Sequence, residues 1–184
     1  SYTVPAITIT APSALSGSAI VASYSGFGTT CFSASDGQIT VTATGGTSIY
    51  RYSINGGAIQ TNRTFSNLPA GNYTITIYDA NNCTKNIGPF TITSPPAITG
   101  TAIISSNYNG SNISCSGVAD GQITISATGG STGLKYRLNG GSYQKSNIFN
   151  GLAAGVYIVS IIDSTYPSCK KFIDTLTIVA PPAE

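Results

Sequence analysis

Residues 36–44 read DGQITVTAT, and residues 120–128 read DGQITISAT. In both stretches apolar side chains alternate with Gln, Thr or Ser, which is the period-two pattern of a β-strand with one buried face. Ile39 and Val41 are therefore predicted to enter a core, and Thr40 and Thr42 to face the opposite way. Because the two stretches lie 84 residues apart, the chain contains two copies of one β-rich unit.

The repeat continues on both sides of these strands. At the same offset Tyr73 matches Tyr157 and Asp79 matches Asp163, and a two-residue insertion then places Cys83 on Cys169. Turn sequences rich in Gly, Asn, Asp and Pro separate the short strands, and no segment has a helical period. We therefore predict an all-β fold of tandem immunoglobulin-like (fibronectin III-like) β-sandwich repeats, with residues 68–73 forming the tyrosine corner of such a domain.

The ends of the repeats can be placed from their closing segments. Residues 7–12 (ITITAP) resemble residues 90–95 (FTITSP) and residues 176–181 (LTIVAP). We interpret residues 1–13 as the tail of a preceding repeat plus a linker, residues 14–96 as repeat 1 and residues 97–184 as repeat 2. The Pro-Pro sequences that close each repeat restrict the backbone and predict a semi-rigid connection, hence a stiff rod.

Composition excludes several classes of function. Only 8% of the 184 residues are charged and the net charge is +2, so nucleic acid is not an expected partner. No apolar run reaches the roughly 18 residues of a membrane span, so membrane insertion is not expected either. The chain has no His and its carboxylates are scattered, which leaves no ordinary acid, base or nucleophile constellation. We predict a protein that is not an enzyme.

Four cysteines occupy two repeat-equivalent pairs of positions, Cys31 with Cys115 and Cys83 with Cys169. Without His or a Cys-x-x-Cys spacing, they favour structural disulfides and an oxidising, extracellular compartment. The simplest pairing joins Cys31 to Cys83 and Cys115 to Cys169. We favour this pairing, because it lets each repeat fold alone.

Strand geometry conflicts with these bridges within repeats. In an immunoglobulin-like strand order the two sulfurs of one repeat lie at opposite ends of a strand roughly 23 Å long, whereas bridged α-carbons lie within about 7 Å. An extra hairpin at Asn109-Gly110 would add one strand, which reverses the direction of the chain and removes the conflict. Alternatively, Cys31 bonds to Cys169, and Cys83 and Cys115 pair with repeats outside this sequence.

The quoted motifs resemble a known family. Cys31, the DGQITV stretch, the double glycine at 45–46, LPAGNY at 68–73 and YDANNC at 78–83 are together similar to the SprB-type repeat, as are their counterparts in repeat 2. This resemblance implies a very large adhesin on the surface of gliding bacteria of the Bacteroidota type, with roles in cell adhesion and gliding motility. No defined ligand-binding residues come with it, and the tandem repeats make adjacent repeats of the same chain the expected partners.

Within that framework we predict a stiff, disulfide-stabilised stalk. The alternative is a module that binds a surface polysaccharide weakly and gains avidity from the number of repeats. Tyrosines would then replace the missing Trp as stacking platforms, and the candidates are Tyr50, Tyr52, Tyr136 and Tyr143. Alternation makes core packing the favoured role for these rings.

Two further candidate sites follow from the repeats. Ile158 and Ile162 replace Thr74 and Tyr78 of repeat 1, so they form either an outward apolar contact patch or a surface buried by an adjoining loop. The second is a calcium site, for which Asp79, Asn81 and Asn82 offer side-chain oxygens in one loop. With so few carboxylates in reach, we favour turn formation by these residues and no cofactor.

Overall fold

The computed structural model describes residues 7–182, so the predicted tail at residues 1–13 lies partly outside the described residues. The described part of the chain is all β, and none of it forms a helix that is long and apolar enough to cross a membrane. It divides into two compact units. Of the described residues, the first unit comprises 7–22 and 35–92, and the second comprises 23–34 and 93–182.

Six strands are described in the first unit. They are β1 (Ser16–Val21), β2 (Gly37–Thr44), β3 (Arg51–Ile54), β4 (Thr64–Leu68), β5 (Gly71–Tyr78) and β6 (Thr84–Ile92). The described part of the second unit repeats this set as β7 (Thr99–Ile104), β8 (Gly121–Thr128), β9 (Leu134–Leu138), β10 (Ile148–Leu152), β11 (Gly155–Asp163) and β12 (Lys170–Ile178).

Each unit pairs its strands into two antiparallel three-stranded sheets. The first unit has sheets in the orders β1-β2-β4 and β3-β5-β6, and the second has β7-β8-β10 and β9-β11-β12. Within each unit, strands one, two and four form one sheet, and strands three, five and six form the other. This is the immunoglobulin topology without the strand that comes fourth in an immunoglobulin domain. The prediction of immunoglobulin-like sandwiches is confirmed.

The core of each unit contains the alternating side chains that the sequence predicted to be buried. In the first unit Ile39 and Val41 from β2 and Ile75 and Ile77 from β5 are fully buried in one cluster. Thr42 on the other face of β2 is exposed. The core cluster of the second unit is built in the same way from β8 and β11, which contribute Ile123, Ile125, Val159 and Ile161. Burying a large aliphatic side chain stabilises a fold by about 1.5–3 kcal/mol, so these clusters are the main source of stability.

The predicted tyrosine corner is present in both units. The Tyr73 hydroxyl donates to the Pro69 carbonyl oxygen at 2.7 Å, and the Tyr157 hydroxyl donates to the Ala153 carbonyl oxygen at 2.9 Å. The corner leads into β5 and β11, which are the fifth strands of their units because the fourth strand of an immunoglobulin domain is missing. Each bond fixes the entry of a strand that pairs on both edges.

The unit boundaries differ from the predicted boundary after residue 96. Residues 23–34 lie between β1 and β2 in sequence, yet they belong to the second unit. The N–H groups of Gly28 and Thr29 both donate to the Thr93 carbonyl oxygen, at 2.9 and 3.1 Å. These bonds hold the segment to the start of the second unit. No local pattern within residues 23–34 predicts this association.

Candidate functional site

Asp79 organises the turn between β5 and β6. Its carboxylate is buried, with Oδ2 accepting the N–H of Thr47 at 3.0 Å and Oδ1 accepting the N–H groups of Asn81 and Cys83 at 2.9 and 2.8 Å. These backbone hydrogen bonds, the one from Thr47 foremost, lower the pKa of Asp79 against the opposing effect of burial. A carboxylate with this many N–H donors is a structural anion.

The calcium hypothesis for this turn loses support from the same contacts. Asn82 Oδ1 accepts a hydrogen bond from Arg51 at 2.5 Å, and the Asn81 amide nitrogen donates to Thr47 Oγ1 at 3.1 Å. The oxygens of Asp79 and Asn82 therefore face protein donors. Residues 7–182 contain no group of three or more Asp, Glu, His or Cys side chains placed to hold a metal ion. Turn formation is the role that the geometry favours.

Asp163 repeats this arrangement in the second unit. Burial of Asp163 would raise its pKa, but the pKa is lowered because N–H groups of Ser131, Thr165 and Tyr166 donate to the carboxylate at 2.6, 2.8 and 3.1 Å. Gly130 has a φ of 74°, and a Cβ added there would lie 2.8 Å from Asp163 Oδ2. The double glycine before this loop is thus required for the close approach of the carboxylate.

We expect Asp163→Asn to lower the free energy of unfolding by about 2 kcal/mol at neutral pH, because an amide cannot accept all these N–H groups. The lowered pKa means that the carboxylate stabilises the fold above its ordinary value of 3.8, and this contribution is lost as the pH falls through the folded-state pKa. Urea unfolding at pH 7 and in acid should give the variant a shallower pH dependence than wild type. The exposed Asp174→Asn is the control, and equal losses in both variants would contradict the prediction.

The candidate tyrosines of the first unit are engaged in its interior. Tyr52 is only 6% exposed and belongs to the core cluster, and burial raises the pKa of its hydroxyl. Tyr50 packs against the same cluster and donates its hydroxyl to the Gly45 carbonyl oxygen at 2.7 Å. Their packing in the core agrees with the favoured interpretation and speaks against a stacking platform built from this pair.

The candidate tyrosines of the second unit differ from each other. Tyr136 packs against the core cluster, whereas Tyr143 lies outside it and is half-buried. The Arg137 guanidinium carbon lies 4.6 Å from the centroid of the Tyr143 ring, so a cation–π contact occupies one face of that ring. Tyr143 is the one ring of the four that packs against neither core.

The apolar patch predicted at Ile158 and Ile162 is not formed as a pair. Ile158 is 47% exposed, but Ile162 is only 6% exposed. Alternation fails here because Ile161, Ile162 and Asp163 are buried in succession at the end of β11. The prediction that Ile162 faces outward is therefore wrong. Its alternative, a buried side chain, is what the structure shows.

A disulfide joins Cys31 to Cys169, with the α-carbons 5.5 Å apart, and Cys83 and Cys115 have free, exposed thiols. The favoured pairings of Cys31 with Cys83 and of Cys115 with Cys169 are therefore not those of the structure. The bond connects the segment 23–34 with the residue before β12, and both lie in the second unit.

The positions of β12 and its neighbours explain the correction. Cys169 immediately precedes β12, whereas the loop of Cys115 is bonded to the far end of that strand through Asn112, whose N–H donates to the Val179 carbonyl oxygen at 3.1 Å. Nine residues of strand span about 30 Å, and bridged α-carbons must lie within about 7 Å. Asn109-Gly110 does form the predicted turn, but its hairpin is limited to the bridge between Tyr108 and Ser111. It therefore adds no strand to the sheets and does not remove the conflict.

Several contacts around the disulfide were missed by the sequence analysis. Thr29 is fully buried, Ser94 Oγ donates to the Cys31 carbonyl oxygen at 3.4 Å, and Tyr24 meets Tyr166 edge to face at 6.4 Å between ring centroids. Tyr166 lies in the loop between Asp163 and Cys169, which the insertion lengthens by two residues. That insertion was the available signal, since a loop lengthened in one copy is a candidate for a contact that the other copy lacks.

A cavity of about 250 Å³ adjoins the disulfide. Pro95, Pro96 and Ile98 supply apolar walls, and Lys170 and Lys171 lie at its border. Pro95 is buried within the second unit. The site therefore combines a covalent cross-link with a buried proline, and we find no arrangement of reactive side chains among its lining residues.

The fold and the cross-link define the class: a tandem array of immunoglobulin-like sandwich repeats with a structural disulfide. The SprB repeat family model matches residues 29–59 and 107–142, one segment in each repeat, which confirms the resemblance found in the sequence. Repeats of this kind point to adhesin-type proteins of the cell surface. The two matched segments contain Cys31 and Cys115 but neither Cys83 nor Cys169.

Other comparisons add little to this assignment. No curated protein matches the chain. Among solved structures the chain is similar to a C-terminal 282-residue fragment of intimin, crystallised with the intimin-binding domain of the translocated intimin receptor, at 13% identity and a TM-score of 0.40. The match covers 94% of this chain and 64% of the intimin fragment.

Proposed function

We propose that this chain is a non-enzymatic stalk segment of a large secreted bacterial adhesin, exposed on the cell surface and serving adhesion and gliding motility. The SprB match supports the adhesin class. The observation that carries the stalk role is the bond between Cys31 and Cys169, whose positions are 138 residues apart in sequence. A covalent bypass over this distance is useful to a protein under tension.

The path of tension follows from covalent connectivity. A pull on the two ends enters through β1, crosses the disulfide from Cys31 to Cys169 and leaves through β12. Residues 32–168, which include nearly all of both cores, stand outside that path. The segment therefore transmits force without requiring most of its hydrogen bonds and apolar contacts to resist it.

The alternative, multivalent polysaccharide binding, is separated from the stalk by a binding experiment. We expect the intact chain to show no saturable binding to a panel of bacterial surface polysaccharides, because the candidate rings are packed in the cores or covered on one face by Arg137. Calorimetry or surface plasmon resonance would measure it.

Tyr143→Ala is the decisive variant. Lys145→Ala, at an exposed residue close to Tyr143 in sequence, is its control. Saturable binding that Tyr143→Ala abolishes and Lys145→Ala retains would replace the stalk by the alternative. Absence of binding in the wild-type chain and in both variants is the result that the stalk requires.

A further inference from the structure

The free thiols of Cys83 and Cys115 occupy the repeat-equivalent positions of the bonded pair. Cys115 corresponds to Cys31, and Cys83 corresponds to Cys169. The bonded pair itself combines the first cysteine of one sequence repeat with the second cysteine of the next. Each free thiol is therefore the equivalent of one half of an existing bond.

The backbone around Cys115 matches that around Cys31. The Cys31 carbonyl oxygen accepts the N–H of Ala34 at 3.1 Å, and the Cys115 carbonyl oxygen accepts the N–H of Val118 at 3.2 Å. Both cysteines follow a two-residue hairpin turn with positive φ at both central positions, Ser25-Gly26 in one copy and Asn109-Gly110 in the other. Cys115 is thus presented in the conformation of its bonded twin.

The anchoring of the two hairpin segments also matches. The Asn112 N–H donates to the Val179 carbonyl oxygen at 3.1 Å, as the Gly28 N–H donates to that of Thr93 at 2.9 Å. Fully buried Ile113 holds the Cys115 segment in the core of the second unit. Its thiol remains exposed just beyond this anchor.

Cys83 reproduces the frame of Cys169. The Asp79 N–H donates to the Cys83 carbonyl oxygen at 3.0 Å, and the Asp163 N–H donates to the Cys169 carbonyl oxygen at 2.9 Å. Both cysteines directly precede the last strand of their repeat. The loop of Cys83 is two residues shorter and lacks an equivalent of Tyr166, so the aromatic contact with Tyr24 is specific to the bonded copy.

We propose that Cys115 and Cys83 are complementary halves of a serial disulfide, in which the Cys115 position of one repeat bonds to the Cys83 position of the next repeat of the same kind. The two thiols lose two protons and two electrons as the sulfur–sulfur bond forms. A small-molecule or protein disulfide accepts them and becomes two thiols, by attack of a thiolate and a mixed-disulfide intermediate. The exposure of both thiols permits this exchange.

This inference goes beyond the stalk, since an array that binds polysaccharide would be cross-linked in the same way. Cys83 and Cys115 both lie between Cys31 and Cys169 in sequence, so bonds from either one to a further repeat would overlap the existing closed loop. Such an array could not be drawn out to its full length without breaking sulfur–sulfur bonds.

Two single variants of the whole chain test the proposal, with a second copy of the chain supplying the further repeat. Cys83→Ser leaves only the Cys115 thiol, and Cys115→Ser leaves only the Cys83 thiol. In a buffer of oxidised and reduced glutathione, we expect each variant alone to stay monomeric and the mixture to form a heterodimer in at least about tenfold excess over either homodimer. Peptide mapping should find Cys115 of one chain joined to Cys83 of the other.

Homodimers at a yield similar to that of the heterodimer would overturn the proposal, because they would show that the thiols react by exposure alone. A mixture that stays monomeric while both thiols accept glutathione would also overturn it. Both substitutions are at exposed side chains, and intact Cys31–Cys169 bonds with wild-type urea unfolding verify the fold of each variant.

Discussion

Stretched from its two ends, the reduced chain should extend about 450–500 Å further than the oxidised chain. The difference is the 138-residue separation of Cys31 and Cys169 at roughly 3.3–3.6 Å per residue. In the oxidised chain the disulfide takes the load, so residues 32–168 contribute no length even after their sheets have opened. Optical or magnetic tweezers on one molecule, before and after addition of a reductant, would measure the change.

The extension also distinguishes this connectivity from bonds within repeats. Cys31–Cys83 and Cys115–Cys169 bridges would close two loops of about 50 residues each and conceal roughly 350–380 Å together. Cys31→Ser should extend fully without a reductant, and the double variant Cys83→Ser/Cys115→Ser should behave as the oxidised wild type. Full extension of the oxidised wild type would show that the bond does not carry the load.

Much of the fold was predictable because it depends on local patterns. The alternation of Ile39 and Val41 with Thr40 and Thr42 determines which face of β2 is buried, and it needs no knowledge of the partner strands. The turn at Asn109-Gly110 follows from residues that tolerate positive φ. Duplication strengthened each assignment, since an equivalent residue supported it in the second copy.

The cysteine pairing was not settled by local patterns, since it depends on which end of a strand each loop contacts. Cys115 is close in sequence to β8, but hydrogen bonds between Asn112 and Val179 place its loop at the end of β12, far from Cys169. Strand length alone raised the conflict correctly. Choosing between its two solutions required the position of residues 23–34, which join the unit formed by distant residues.

Ile162 shows a second limit of sequence patterns. Period-two alternation predicts one buried and one exposed side, but it holds only where one sheet face meets solvent. At the end of β11 the side chains of Ile161 and Ile162 are both buried, and Asp163 next to them is buried by its own hydrogen bonds to the loop of Ser131. Burial at a strand end depends on loops that the alternation does not describe.

Removal of the Cys31–Cys169 bond should also have the largest effect on equilibrium stability. In the chain-entropy model, cross-linking residues 138 positions apart stabilises the native state by about 5 kcal/mol. Both units should share this effect, because the closed loop contains residues 35–92 of the first unit and most of the second. Without the bond, residues 23–34 keep only contacts such as the hydrogen bonds to Thr93, each worth about 1 kcal/mol.

The measurement is urea unfolding of Cys31→Ser/Cys169→Ser beside Cys83→Ser/Cys115→Ser, a control that also removes two sulfurs. The first variant should unfold at a clearly lower urea concentration, and the control should match the oxidised wild type, because the two thiols that the control removes are exposed and unbonded. Reductant should bring the wild type and the control to the stability of the first variant. If the control lost as much stability as the first variant under oxidising conditions, Cys83 and Cys115 would have to be bonded within the same chain, and the connectivity on which the stalk depends would be wrong.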